Sequence, residues 1–175
     1  SQPDDIIVAS YVGRPETQDE FNRNLFMLAD YYNAKIGFEN DRGEVIAYAK
    51  RHRKLHRLQP EFEMLDKKQL QSRRVKRSYG MHMTQARKQQ GEIYIRDWLN
   101  STRGVESEGK ESLNLHKIYD PALLQELIKF NHKGNFDRVM SLMIAMYHSR
   151  ELYNAEVKNI YEDRSTDAFF DRQMF

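Results

Sequence analysis

The sequence predicts an α/β domain with parallel strands. Two observations carry this: short runs rich in β-branched and aromatic residues alternate with segments whose apolar residues recur every three to four positions, and capping residues fall between them. A strand–helix–strand–helix order implies parallel neighbours joined by right-handed crossovers.

The first run, Ile6 to Gly13 (IIVASYVG), is short and closed by Gly13 and Pro15, and it reads as a largely buried strand. Thr17 is an N-cap with Glu20 at capping-box spacing, so a helix is expected from about Gln18 to Tyr32. Its apolar positions Phe21, Leu25, Leu28 and Tyr32 predict the face that packs on a sheet. Asn33 stops it, AKIGFE (Ala34 to Glu39) returns to strand character, and Asp41 and Gly43 lead into the helix EVIAYAKRHRKL.

Beyond Arg57 the periodicity weakens, and the polar, basic stretch Gln59 to Gly80 is expected to be an extended connection or ribbon. A helix resumes around Ile93 to Leu99 and ends over Asn100 to Gly104, and VESEGKES reads as a surface loop. Asp120 and Pro121 supply an N-cap and first turn for a helix with Leu124, Leu127 and Ile128 as its buried stripe. A Gly134 loop then opens a long helix with Val139, Leu142, Met143 and Met146 inward. The charged and aromatic tail from 156 to 175 has no clear period, and it is set apart from a domain spanning 1–155 as a segment that docks on another surface or is disordered.

Composition narrows the chemistry. The 175 residues fit one domain, no apolar stretch is long enough to span a membrane, and the N-terminus has no signal-peptide pattern. With no cysteine, disulfides, thiolate metal sites and a cysteine nucleophile are excluded, which fits a reducing compartment. Net charge is only +2, yet Lys50 to Lys88 holds thirteen Lys and Arg against three acids. Such segregation marks either a polyanion-facing surface or a solvated helix face and loop.

Two carboxylates stand out. Glu39 ends an apolar strand, where open α/β sheets place ligands, and Asp137 directly precedes an apolar helix. Brought together they would form a hard-oxygen site suited to magnesium or manganese. Alternatively, Glu39 is a strand-end charge and Asp137 a first-turn acid stabilised by the helix dipole. His52 and His56, four apart, lie among basic residues that would repel a cation, and Ser10, Ser78 and Ser141 lack a nucleophile-elbow context. YGMHMT (Tyr79 to Thr84) reads as a packed strand or turn.

The segments from Ile6 to His52, then RSYGMHMT, YDPALLQELIKFN and GNFDRVMSLMIAMYHS, resemble in order the C-terminal nuclease domain of the large terminase subunit of tailed bacteriophages, over roughly Ile6 to Leu152. The resemblance implies an RNase H-like mixed sheet flanked by helices and metal-dependent endonuclease cutting of concatemeric double-stranded DNA during genome packaging. It implies two Mg2+ or Mn2+ ions, with Glu39 and Asp137 matching the family's second and third acidic ligands. The family's first acid lies on a strand upstream of the one that Ile6 to Gly13 resembles, so the first strands and that ligand are expected to be missing and the fragment weakly active or inactive.

Two ions about 4 Å apart would activate the attacking water and stabilise the leaving 3′ oxygen. Arg51, Arg53, Lys54, Arg73, Arg74, Lys76, Arg77, Arg87 and Lys88 would then bind the DNA backbone without reading bases. The family further implies the portal protein and small terminase subunit as partners, no membrane, and the host cytoplasm as location. A non-catalytic DNA-binding or protein-docking fragment with a nuclease-like fold, and another RNase H-like nuclease of the resolvase type, are the alternatives.

Overall fold

The computed structural model describes residues 6–40, 43–61, 79–105, 109–131 and 134–165, with side chains through residue 152. Among them the chain is mixed α/β, with five α-helices and a small antiparallel sheet of two strands. The helices are α1 (Gln18–Tyr31), α2 (Glu44–Arg51), α3 (Gln85–Leu99), α4 (Pro121–Lys129) and α5 (Asp137–Ser165), and strands β1 (Thr102–Val105) and β2 (Glu111–Leu113) lie between α3 and α4.

α1 begins as its capping residue dictates: the Thr17 hydroxyl accepts from the Glu20 amide at 3.2 Å. Its buried face is Asn22, Phe26 and Ala29, with the Phe26 ring 5.3 Å from that of Tyr48 on α2. The expected face is turned aside, leaving Leu28 and Tyr32 exposed. The reason is that α1 packs on α2 rather than on a sheet; on the predicted side Leu25 still packs against the smaller apolar cluster, and the Phe21 ring lies 6.2 Å from that of Tyr11. Ion pairs reinforce the helix pair: Arg51 to Asp19 at 2.6 Å, and Lys54 and Arg57 to Asp30 at 2.7 and 2.9 Å.

α2 stops at Arg51, short of the expected length, because Arg53 takes a left-handed φ of 56° and the Lys54 amide bonds back to the Ala49 carbonyl at 2.8 Å. That is a Schellman closure, built on an arginine where glycine is usual. The chain then returns through a 3-10 turn, Leu55–Arg57, to lie alongside the segment that preceded α2.

Outside the two-stranded sheet, two pairings of extended segments are parallel and one, Pro60 with Tyr79, is antiparallel, and the partners differ from those expected. Ile36 pairs in parallel with Leu58, with α2 as the crossover, and Glu39 pairs in parallel with Met81. The amide of Met81 donates to the Phe38 carbonyl and that of Asn40 to the Met81 carbonyl, each at 2.9 Å. These contacts are too short to make regular strands. The expected strand Ile6 to Gly13 makes no main-chain pairing among the described residues, and Ile6, Val8 and Val12 are each more than half exposed. A strand hidden on both faces needs covering on both sides. This segment is held instead by Tyr11 accepting from Asn24, by Ser10 bonding to Asp120 and by Ile7 packing on the larger apolar cluster.

Two apolar clusters result. The smaller joins α1, α2, Ile36, Phe38 and Leu58; the larger joins Met81, Met83, α3, α4 and α5. α3 starts at Gln85, earlier than the periodicity indicates, because Thr84 caps it by accepting from the Arg87 amide. Gly91 lets α3 approach α5 closely, since a Cβ there would stand 2.5 Å from Sδ of the fully buried Met143. The Tyr147 hydroxyl donates to the Arg87 carbonyl at 2.8 Å, and burial pushes its pKa up to about 12.

Val139, Leu142, Met143 and Met146 are buried as predicted, as are Met81 and Met83 of YGMHMT. On α4 Leu124 and Leu127 pack on the larger cluster as expected, but the fully buried residue is Leu123 and Ile128 is 85% exposed, so the stripe is rotated by part of a turn. β1 and β2 occupy the region read as a helix end and loop, and α5 continues through residue 165, beyond the start of the expected irregular tail.

Candidate functional site

Glu39 is exposed at the end of the apolar segment Ile36–Phe38, where its backbone pairs with Met81. Asp137 is exposed as the first residue of α5. The elements carrying them touch: a Cβ on Gly37, two residues before Glu39, would stand 3.0 Å from Cγ2 of Ile144 on α5. Ile144 is seven residues beyond Asp137, about 10 Å along the helix at 1.5 Å per residue. The two carboxylates are thus carried by neighbouring elements.

The start of α5 is held by groups that sequence spacing does not reveal. Glu126, on α4, accepts through one carboxylate oxygen from the amides of Arg138 and Val139 at 3.0 and 3.4 Å, and through the other from the Arg138 guanidinium at 2.9 Å. A side chain from another helix therefore occupies amides that lack intrahelical partners. Arg138 also faces Asp120 at 3.6 Å. Asp120 itself caps α4, accepting from the amides of Ala122 and Leu123. Burial is the strongest single influence on its carboxyl and pushes the pKa up, but the Ser10 hydroxyl, the Leu123 and Ala122 amides and Arg138 together hold it below the usual value. Asp120 was legible as a cap from the Asp-Pro pair; Glu126 and Arg138 carry no local signal, because they meet across a loop.

Asp137 and Arg138 open onto a cleft of about 590 Å³ between Ile6–Gly13 and α5, with Trp98, Asp120, Ser141 and Met146 also on its wall. Glu39 is not among the residues lining it. Among the described residues no group of three or more His, Asp or Glu side chains is gathered so as to hold a metal ion. Glu39 and Asp137 are hard-oxygen donors of the right kind for magnesium or manganese, but by themselves they do not compose such a group.

The predicted DNA-facing cations divide. Arg51 and Lys54 are engaged by Asp19 and Asp30, which neutralise part of the charge that α2 would present. Lys54, foremost, and then Arg57 hold the Asp30 carboxyl below its usual value, although burial pushes it up. Arg53 is exposed and has no ion-pair partner among the described residues. Arg87 spends one guanidinium nitrogen on the His82 carbonyl, and Lys88 is half-buried. Arg73, Arg74, Lys76 and Arg77 lie outside the described residues. His52 rests its ring on Tyr48, 4.2 Å between centroids.

No helix among the described residues is long and apolar enough to cross a membrane. No family model, curated protein or solved structure matches the chain.

Proposed function

We propose that the chain is a metal-dependent, DNA-cleaving domain of the terminase type, in which Glu39 and Asp137 supply carboxylate charge to Mg2+ or Mn2+ at a phosphodiester of double-stranded DNA. The observation that supports it is the placement of Glu39: it closes an apolar segment whose Gly37 lies against the helix that Asp137 opens. Both carboxylates are exposed, so a hydrated cation can reach each of them from solvent. A complete centre needs further donors beyond those grouped among the described residues. Arg53 and the cations at 73–77 bind the duplex backbone in this reading, without base readout.

The test is nicking of supercoiled plasmid in magnesium or manganese. The expected result is weak cleavage that requires the metal and disappears in Glu39→Ala and in Asp137→Ala, each still folded. Cleavage at the parental rate by either variant refutes the assignment.

A second reading, a protein-docking or DNA-binding fragment without catalysis, is favoured by the exposed apolar side chains of Ile6, Val8, Tyr11 and Val12 beside the cleft. Duplex binding with no cleavage under any metal would select it. Charge reversal of Arg73, Arg74, Lys76 and Arg77 that left both affinity and its salt dependence unchanged would remove DNA from either reading.

A further inference from the structure

One corner of the molecule, away from the cleft, joins exposed aromatic rings to an excess of positive charge. The C-terminal end of α1 is pinned there to the turn that follows α2. Lys54 and Arg57 both reach the Asp30 carboxylate, the Arg57 guanidinium also donates to the Asn33 side chain at 2.7 Å, and the Lys35 ammonium donates to the His56 carbonyl at 2.6 Å. Beside Asp30 stand Tyr31 and Tyr32, whose rings meet edge to face with centroids 4.8 Å apart. Tyr31 is 81% exposed, and Tyr32 is exposed as well. Four fixed cations, Lys35, Arg53, Lys54 and Arg57, thus gather around the end of α1 against the Asp30 carboxylate, which pairs with two of them. We propose that this corner is a stacking platform for single-stranded nucleic acid, on which the Tyr31 ring takes the face of an unpaired base while Arg53 and Lys35 meet the phosphates that flank it.

An exposed tyrosine alone needs no partner to explain it. Here its surroundings favour one. The perpendicular contact with Tyr32 restrains the Tyr31 ring while most of it stays in water, so little freedom is lost when a base settles on it. Arg53 is held at a φ of 56°, backbone that glycine adopts without steric cost, and non-glycine residues kept there gather at binding sites. Its guanidinium adds charge to a turn that Lys54 and Arg57 already make basic, and a bound phosphate relieves that repulsion. A duplex keeps its base faces inside its own stack, and an acidic peptide offers carboxylates without a flat ring. A single strand presents phosphate and base face together, whatever its sequence. The inference does not depend on Glu39 or Asp137 holding a metal, and it shares only Arg53 with the duplex reading.

The experiment is fluorescence anisotropy of the intact chain with labelled oligothymidylate about 12 nucleotides long, and in parallel with a duplex of the same length, in EDTA so that nothing is cleaved. Tyr31→Ala should weaken binding of the single strand at least about fivefold and leave the duplex within about twofold, because stacking on an aromatic ring is what the single strand alone can use. Tyr31→Phe, which keeps the ring face, should match the parent. Arg53→Glu should reduce the slope of log affinity against log salt for the single strand by about 0.7. Several results overturn the proposal: a single strand that the parent does not bind, a Tyr31→Ala variant that binds it as the parent does, an equal loss on single strand and duplex, or a loss in Tyr31→Phe as large as in Tyr31→Ala. Competition by oligoglutamate as effective as by unlabelled oligothymidylate also overturns it, since the corner would then accept any polyanion. The absence of metal separates these outcomes from the nuclease reading, which cleavage of plasmid tests.

Discussion

Removing the Glu126 carboxylate tests how the start of α5 is held. In the folded chain Glu126 accepts three hydrogen bonds, two from helix amides and one from the Arg138 guanidinium. Losing a cap costs about 1 kcal/mol. A hydrogen bond to a charged partner contributes about 1.5–3 kcal/mol, and Arg138, only 27% exposed, would keep Asp120 at 3.6 Å as its remaining anion. Glu126→Ala should therefore destabilise by about 2–4 kcal/mol, a fall in Tm of roughly 4–16 °C for a chain of this size. Glu126→Gln keeps an oxygen for the amides but loses the charge, so it should recover about half of the loss. Urea denaturation followed by circular dichroism measures both. A change below about 0.5 kcal/mol in Glu126→Ala would show that α5 is anchored by its apolar face alone and that Glu126 does not position Asp137.

Gly91→Ala should destabilise by about 1–2 kcal/mol in the same assay, although alanine is the better helix former by about 1 kcal/mol, because the new methyl must displace the buried Met143; a gain in stability would mean that α3 and α5 are not in close contact. Asp30 has a folded pKa below its ordinary 3.8, so its contribution is complete above that value and is lost as pH falls through the folded pKa. The advantage of the parent over Asp30→Asn in thermal melts should accordingly be constant from pH 7 to 5 and shrink below about pH 4; an advantage independent of pH would refute the pairing with Lys54 and Arg57. In duplex binding, Arg53→Glu should reduce the slope of log affinity against log salt by about 0.9, and Arg51→Glu, whose charge Asp19 already meets, by less; equal slopes for both variants would contradict that division.

Much of the helical part of the fold was legible because its signals are local. Thr17, Asp120 and Pro121 cap helices where they were expected to, and the Val139–Met146 stripe is buried on a helix whose period is plain in the sequence. What could not be read was which neighbour each apolar face meets. α1 has apolar residues on two adjacent faces, and only the position of Tyr48 on α2 decides that Phe26 rather than Leu28 goes inside. Ile6 to Gly13 has strand composition, but a strand is made by its partner, and among the described residues none pairs with it. The two-stranded sheet escaped notice because Gly104 and Glu111 are poor strand formers. For the candidate site, the positions of Glu39 and Asp137 at element ends were legible, whereas the Glu126–Arg138–Asp120 group beside Asp137 is a tertiary contact without periodic trace.

The central claim, that Glu39 and Asp137 serve a shared divalent cation, is tested most directly by adding Mn2+ to the isotopically labelled chain and following paramagnetic broadening of its amide resonances. The claim predicts that residues around Phe38–Asn40 and Phe136–Arg138 broaden together at the same manganese concentration, and that Glu39→Ala or Asp137→Ala abolishes the effect at both places. Broadening confined to one stretch, or unchanged in either variant, would contradict it.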